Sequence, residues 1–246
     1  TVSQRQAQWN ATGDIITFGK VQLPMPSVCS LIHNEYVLAR QLLAKDLMFG
    51  VESRVTSNSA LLWDDMELSV PYKSWTHVLR NQDIFRDADI QLSYHVLSDV
   101  KLRKRFGPVA MLGEDRGDTA QMELQHEIYE QKVQMFLKHL AVVVHLSAGQ
   151  PLREPELLSI MWQNSPNERR HIWIQYGKVM IRTFYHKGQQ HSGTSKENVR
   201  FLPSPVGNLV LDFIAYVQPF RQFLLHQRHP TALLSSHLWS YADGKQ

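Results

Sequence analysis

Seven apolar residues, Tyr129, Val133, Phe136, Leu137, Leu140, Val143 and Val144, follow helical three- and four-residue spacing and constrain this chain more than any other feature. With 3.6 residues per turn, they fall on one stripe of a long helix, and that stripe has to be buried. Asp118 or Thr119 can cap the start of this helix, and Gly149 is a natural stop. The segment just before it, Gly113 to Asp118, reads as a linker.

Material for a core is available. The chain has 246 residues, 43% hydrophobic and 20% charged, enough for one large domain or two small ones. Cys29 is the only cysteine, so the fold has no intrachain disulfide and no classical zinc finger. No apolar run approaches the roughly 20 residues that span a bilayer, so a soluble protein without a membrane partner is expected. The chain starts at Thr1 and closes on Gly244-Lys245-Gln246, which reads as a fragment of a longer product.

Patterning elsewhere extends the helical reading. Residues 1–25, broken by Gly13, Gly19, Pro24 and Pro26, read as an irregular lead-in. Leu31, Val37, Leu38, Leu42, Leu43 and Leu47 predict a helix over 28–49, and 51–60 reads as a loop. Short helices are expected over 63–97, then a basic run, Lys101, Arg103, Lys104 and Arg105, stopped by Gly107-Pro108. These spans give a helical domain over 26–112, a linker over 113–118 and a second domain over 119–246.

In the second domain, a helix admitting Pro155 in its first turn buries Leu157, Leu158 and Met161. Three short strands follow, at 172–174, 179–184 and 199–202, with Gly177 in the first turn and a polar connection over 188–198. Val206, Leu209, Val210, Phe213, Ile214 and Val217 make a further helical face, which Pro219 disturbs. The fold class is therefore mainly α with a small antiparallel sheet, an α+β protein.

Chemistry concentrates between Gln150 and Pro203. Arg153 stands at a helix start, three residues before Glu156-Leu157, and a guanidinium there is a rigid fork for a phosphate. This run, with Leu158, Ile160 and Trp162, resembles the first arginine motif of the tyrosine recombinase and integrase family. Tyr185-His186-Lys187 closes the second strand and Arg200-Phe201-Leu202-Pro203 lies on the third, as around the hairpin lysine of that family. A closer resemblance, over roughly 119–225, is to fungal proteins encoded near mobile elements and beside, or fused to, RecQ-type helicases of telomeric regions. Their "GGQP-x-R-G-T-E" and "YHK" motifs match Gly149-Gln150-Pro151-Leu152-Arg153 and Tyr185-His186-Lys187, with departures at Ala148 and Glu154-Pro155.

The resemblance implies a tyrosine-recombinase-like fold, a helical clamp followed by part of a catalytic domain. It implies DNA as partner, self-association on DNA, a RecQ-type helicase neighbour and a nuclear location. Arg153 would clamp the scissile phosphate and Lys187 would protonate the leaving 5′-oxygen, with Lys178 and Lys196 weaker candidates for that role. Lys101, Arg103, Lys104, Arg105, Arg182 and Arg200 are the further candidate DNA contacts. Charge agrees in direction: residues 151–246 hold 11 Lys/Arg against 6 Asp/Glu in a chain of net charge +3.

The family reaction also needs a His-x-x-Arg pair, a later His or Trp and a nucleophilic Tyr. None follows Lys187 in order: His226-Gln227-Arg228 has the wrong spacing and Tyr241 comes too early. The chain alone is therefore expected not to recombine DNA, and a non-catalytic DNA-binding or interaction domain retained beside a helicase is the alternative. A helical scaffold with no nucleic-acid role is the third reading. His186 and His191, or His226 and His229, lack a third ligand at metal spacing, and no metal or cofactor is expected. His145 reads as a buttress of the long helix. There is no Gly-x-Ser-x-Gly and no Gly-x-x-x-x-Gly-Lys-Ser/Thr, which removes the common hydrolase and nucleotide-motor readings.

Overall fold

The computed structural model describes residues 7–65, 67, 69–85, 88–108, 119–185 and 196–242. Their spine is helix α6 (Thr119–Ser147), preceded by α1 (Met25–Gln41), α2 (Arg54–Ser57), α3 (Gln82–Phe85), α4 (Ala88–Ser98) and α5 (Val100–Phe106). All seven residues of the predicted stripe on α6 are buried. Each contributes on the order of 1.5–3 kcal/mol by leaving water. The stripe packs against α1, and against the π-helical turn Leu42–Leu47 that continues it. The Tyr129 hydroxyl donates to the Leu47 carbonyl at 3.1 Å, so the one polar atom of the stripe is satisfied.

On its other side α6 meets a second buried helix. This one runs as α8 (Ser204–Asp212), a π-helical turn (Phe213–Val217) and α9 (Gln218–Arg228). All six residues of the face predicted here are buried, with Phe136 stacked on Phe213 at 5.2 Å between ring centroids. The disturbance expected at Pro219 takes the form of this π turn, and the helix continues beyond it. A proline lacks the N–H for the ladder and crowds the preceding turn, and the wider π turn absorbs both problems so that α9 continues. Because Leu211, Ala215 and Tyr216 are buried as well, α8 and its π turn are buried around most of their circumference.

One core joins the residues on both sides of 113–118: Ala39, Trp75, Leu92 and Phe106 belong to the same cluster as Phe136, Ile181, Phe213 and Trp239. The linker read at Gly113 to Asp118 itself lies outside the described residues.

Three antiparallel strands, β4 (Ile172–Gln175), β5 (Lys178–Tyr185) and β6 (Lys196–Phe201), form the sheet the sequence predicts. The β4–β5 turn is two residues long, with Tyr176 and Gly177 both at positive φ, the hairpin geometry that matches strand twist. Gly177 is also required by space, since a Cβ there would lie 2.7 Å from the Ala60 Cα.

Three other expectations are corrected. Residues 8–24 are not irregular. They form a second three-stranded antiparallel sheet, β1 (Gln8–Trp9), β2 (Ile15–Phe18) and β3 (Val21–Pro24). Gly13 and Gly19, read as breakers, are the positive-φ residues of its turns. The stretch 51–60 contains α2, whose N-cap Ser53 accepts from the Thr56 amide. Helix α7 (Glu154–Leu158) is only five residues long and leaves Leu158 exposed. Buried Met161 lies beyond it, in a bridge to His237. No helix among the described residues is long and apolar enough to cross a membrane.

Candidate functional site

The residues singled out between Gln150 and Pro203 meet where α6 ends. Gly149, at φ 89°, turns the chain out of the helix, and Leu152 is buried and anchors the loop. Arg153 then stands exposed at the N-cap of α7. Its amide donates to the Glu156 carboxylate at 3.1 Å, and its carbonyl accepts from Leu157 at 2.8 Å. The backbone of the arginine is thus fixed while its side chain reaches solvent. Five residues of helix supply little macrodipole, and Glu154 and Glu156 occupy its first turn. The favourable helix-end field expected from sequence is correspondingly small.

Arg200 completes the site from the sheet. It pairs directly with Ile181 across β5–β6, and directly opposed residues share a face. Ile181 faces the core, so Arg200 does too, half-buried and turned toward the end of α6. Its Nε donates to the Gln150 carbonyl at 2.9 Å. Its Nη1 is buried and has no hydrogen-bond acceptor among the described residues. Arg153 is three residues from Gln150, so their Cα atoms are within about 11 Å. Two guanidinium-bearing residues therefore flank one short loop, and one of them carries an unspent buried donor.

Arg182 lies on the opposite face of the sheet, opposed to exposed Val199. It is spent in a fork on Glu197, at 3.0 and 2.5 Å, and lies over the Trp173 ring at 5.6 Å. The ion pair holds the Glu197 carboxyl below the ordinary carboxylate range. Lys187, His186 and His191 lie outside the described residues. Lys178 is exposed beside the Tyr176-Gly177 turn, at the far end of β5 from the 186–195 connection. Lys196 opens β6 opposite Tyr185.

The basic run forms α5, capped by the Asp99 carboxylate on the amides of Lys101 and Leu102 at 2.9 and 2.8 Å. Lys101 and Lys104 are exposed. Arg103 donates to the Leu97 carbonyl and Arg105 to the Gln125 side chain, which ties α5 to the start of α6. Gln125 and Ser147 are 22 residues apart on one helix, about 33 Å at 1.5 Å per residue. The α5 lysines and the Arg153–Arg200 pair therefore stand at opposite ends of α6, not in one patch.

Sequence reasoning missed a buried polar node. Arg170 and Asp64 form a fully buried ion pair, with Arg170 Nη1 also donating to the Glu67 carbonyl at 2.7 Å. Asp64 accepts the Ile174 amide at 3.2 Å. Asn164 accepts the Arg170 amide at 3.1 Å and donates to the Val70 carbonyl at 2.8 Å. These contacts bind the 64–73 segment to β4. An apolar segment with isolated charges gives no periodic signal for this, because the partners are about a hundred positions apart. Burial perturbs other titratable groups as well, among them Asp212, pushed up to about 7, and His126, pushed down to about 4.

Among the described residues no group of three His, Cys, Asp or Glu side chains is placed to hold a metal ion. His145, read as a buttress, is partly buried on α6 with its Nδ1 unpartnered. No protein-family model matches the chain, and no solved structure matches it.

Proposed function

We propose that this protein binds DNA through its phosphates, with Arg153 and Arg200 at the centre of the contact, as a tyrosine-recombinase-derived module. The observation that carries the proposal is the half-buried Arg200, held against the Gln150 carbonyl with Nη1 unsatisfied. A buried cationic donor without an acceptor is costly, and a phosphate oxygen at the Gln150–Arg153 loop would satisfy it. The basic α5 extends the contact. A duplex touching both ends of α6 follows the helix for about ten base pairs at 3.4 Å each.

Strand cleavage and rejoining belongs to the parent reading, within a mobile-element or telomere-associated nuclear protein acting with other copies or a RecQ-type helicase. There Arg153 would hold the scissile phosphate while a tyrosine outside the motifs matched here bonds to phosphorus, and the Lys187 ammonium would give its proton to the 5′-oxygen as the old P–O bond breaks. The sequence after Lys187 supplies no His-x-x-Arg pair and no Tyr in the expected order.

The experiment is fluorescence anisotropy of a labelled 20-base-pair duplex across a salt series. Binding should weaken steeply with salt, and Arg200→Gln and Arg153→Ala should each lower the slope by about 1, the loss of one phosphate contact. Absence of binding at low salt removes the proposal.

A further inference from the structure

A cleft of about 640 Å³ opens on the side of the buried helix away from α6, between the π turn, the Tyr72–Phe85 stretch and the Leu233-Leu234 loop. Its walls are mostly apolar, with Phe85, Trp162, Ile214 and Pro219 among them; His77 lines it too, and among the described residues no Asp, Glu, Lys or Arg does. Two hydrogen-bonding groups at this wall lack partners for separate reasons. Gln218 is buried; its Oε1 accepts from Arg221 Nη1 at 2.8 Å, which fixes the amide, and its Nε2 donor has no acceptor. The Gln218 amide bonds five residues back, to the Phe213 carbonyl. In that register the Ile214 carbonyl should accept from residue 219, but Pro219 has no N–H. A buried donor and a buried carbonyl acceptor are therefore left on one apolar wall, each costing about 1–3 kcal/mol if unpaired.

We infer that this cleft is a binding site for a neutral, flat ligand carrying a carboxamide-like edge. Its carbonyl oxygen would accept from Gln218 Nε2, and its N–H would donate to the Ile214 carbonyl. The apolar walls would cover the ring, and no Asp, Glu, Lys or Arg among the described lining residues stands ready to pair with an ionised ligand. Buried Gln163, whose side chain makes no hydrogen bond among the described residues, adds polar capacity at the same wall. Tyr72 is held at φ 60° on the rim by its amide bond to the Asn164 carbonyl at 2.8 Å. Backbone strain of this kind gathers at ligand sites. The site is separate from the arginine pair and does not depend on the DNA proposal.

The test is ligand-observed NMR on the full chain with benzamide, toluene and benzoate as probes. Benzamide should bind at least tenfold more tightly than either of the others, since toluene lacks the polar edge and benzoate is charged. Gln218→Glu keeps an oxygen for Arg221 but removes the donor, and should weaken benzamide at least fivefold. Leu233→Trp, on an exposed lip of the cleft, should abolish binding while leaving the melting temperature within a degree or two. Binding of benzamide that survives Leu233→Trp, equal binding of toluene, or no benzamide binding would each overturn the inference.

Discussion

Replacing Asp212 by Asn should stabilise the protein in a strongly pH-dependent way. Asp212 sits at the end of α8, partly buried against α2, and among the described residues its carboxylate accepts one hydrogen bond, from the Ser53 hydroxyl at 2.5 Å. Burial pushes its carboxyl from 3.8 up to about 7, while the Ser53 contact pulls more weakly the other way. Between those two pH values the folded chain holds a proton that the unfolded chain has released. Stability from this group is therefore complete below pH 4 and falls as pH rises through 7. The gap corresponds to roughly 4 kcal/mol at about 1.4 kcal/mol per tenfold change in acidity. Asn keeps an oxygen for Ser53 and cannot ionise. Asp212→Asn should match the wild type near pH 4.5 and exceed it by about 2–4 kcal/mol at pH 9. Urea unfolding at five pH values between these limits measures the difference directly. A difference that does not change with pH would mean that the carboxylate is solvated, and the reasoning would fail.

His126 carries the opposite sign. Burial, then the nearby Arg228 charge, pushes its imidazole down to about 4, so stability is lost as pH falls from 6.5 toward 4, and His126→Leu should be less acid-sensitive than wild type in the same titration. Removing one partner of the buried pair by Asp64→Ala leaves the Arg170 guanidinium with only the Asp65 carboxylate, at 3.9 Å, and should cost about 3 kcal/mol in denaturant unfolding. Gly177→Ala combines positive φ with a collision against the Ala60 backbone and should cost at least about 1–3 kcal/mol, visible as a lowered Tm. If DNA lies at the Arg153 loop, Glu154→Gln removes an exposed like charge and should tighten duplex binding a few-fold in anisotropy.

Local pattern carried much of this fold. The stripe on α6, the three strands and the six-residue face of α8 and its π turn are short-range periodicities, and every residue of the stripe and of the six-residue face is buried. What periodicity cannot show is which turn conformation a glycine will serve. Gly13 and Gly19 look the same to a pattern whether they break a chain or reverse a hairpin. Nor does it show that the ladder can widen before Pro219 instead of ending. At the site, Arg153 was legible because a helix start is a local event. The role of Arg200 was half-legible: strand alternation from Leu202 places it on the core face, but its bond to Gln150 joins positions 50 residues apart. Arg182 looked equivalent in sequence and lies on the other face. In the sequence the cleft was marked only by Gln218 and Gln222, polar residues four and eight positions after Ile214 on the side of the helix that lines it.

The central claim is that a phosphate takes the open donor of Arg200 beside the Arg153 loop. The most direct measurement is the salt dependence of duplex binding for wild type, Arg200→Gln and the Lys101→Ala/Lys104→Ala pair, each on 8- and 20-base-pair duplexes. Arg200→Gln should lower the slope by about 1 on both lengths. The α5 pair should lower it by about 2 on the longer duplex and leave the shorter one, placed at the Arg153 end, nearly unchanged. Wild-type affinity and slope retained in Arg200→Gln on both duplexes would contradict it.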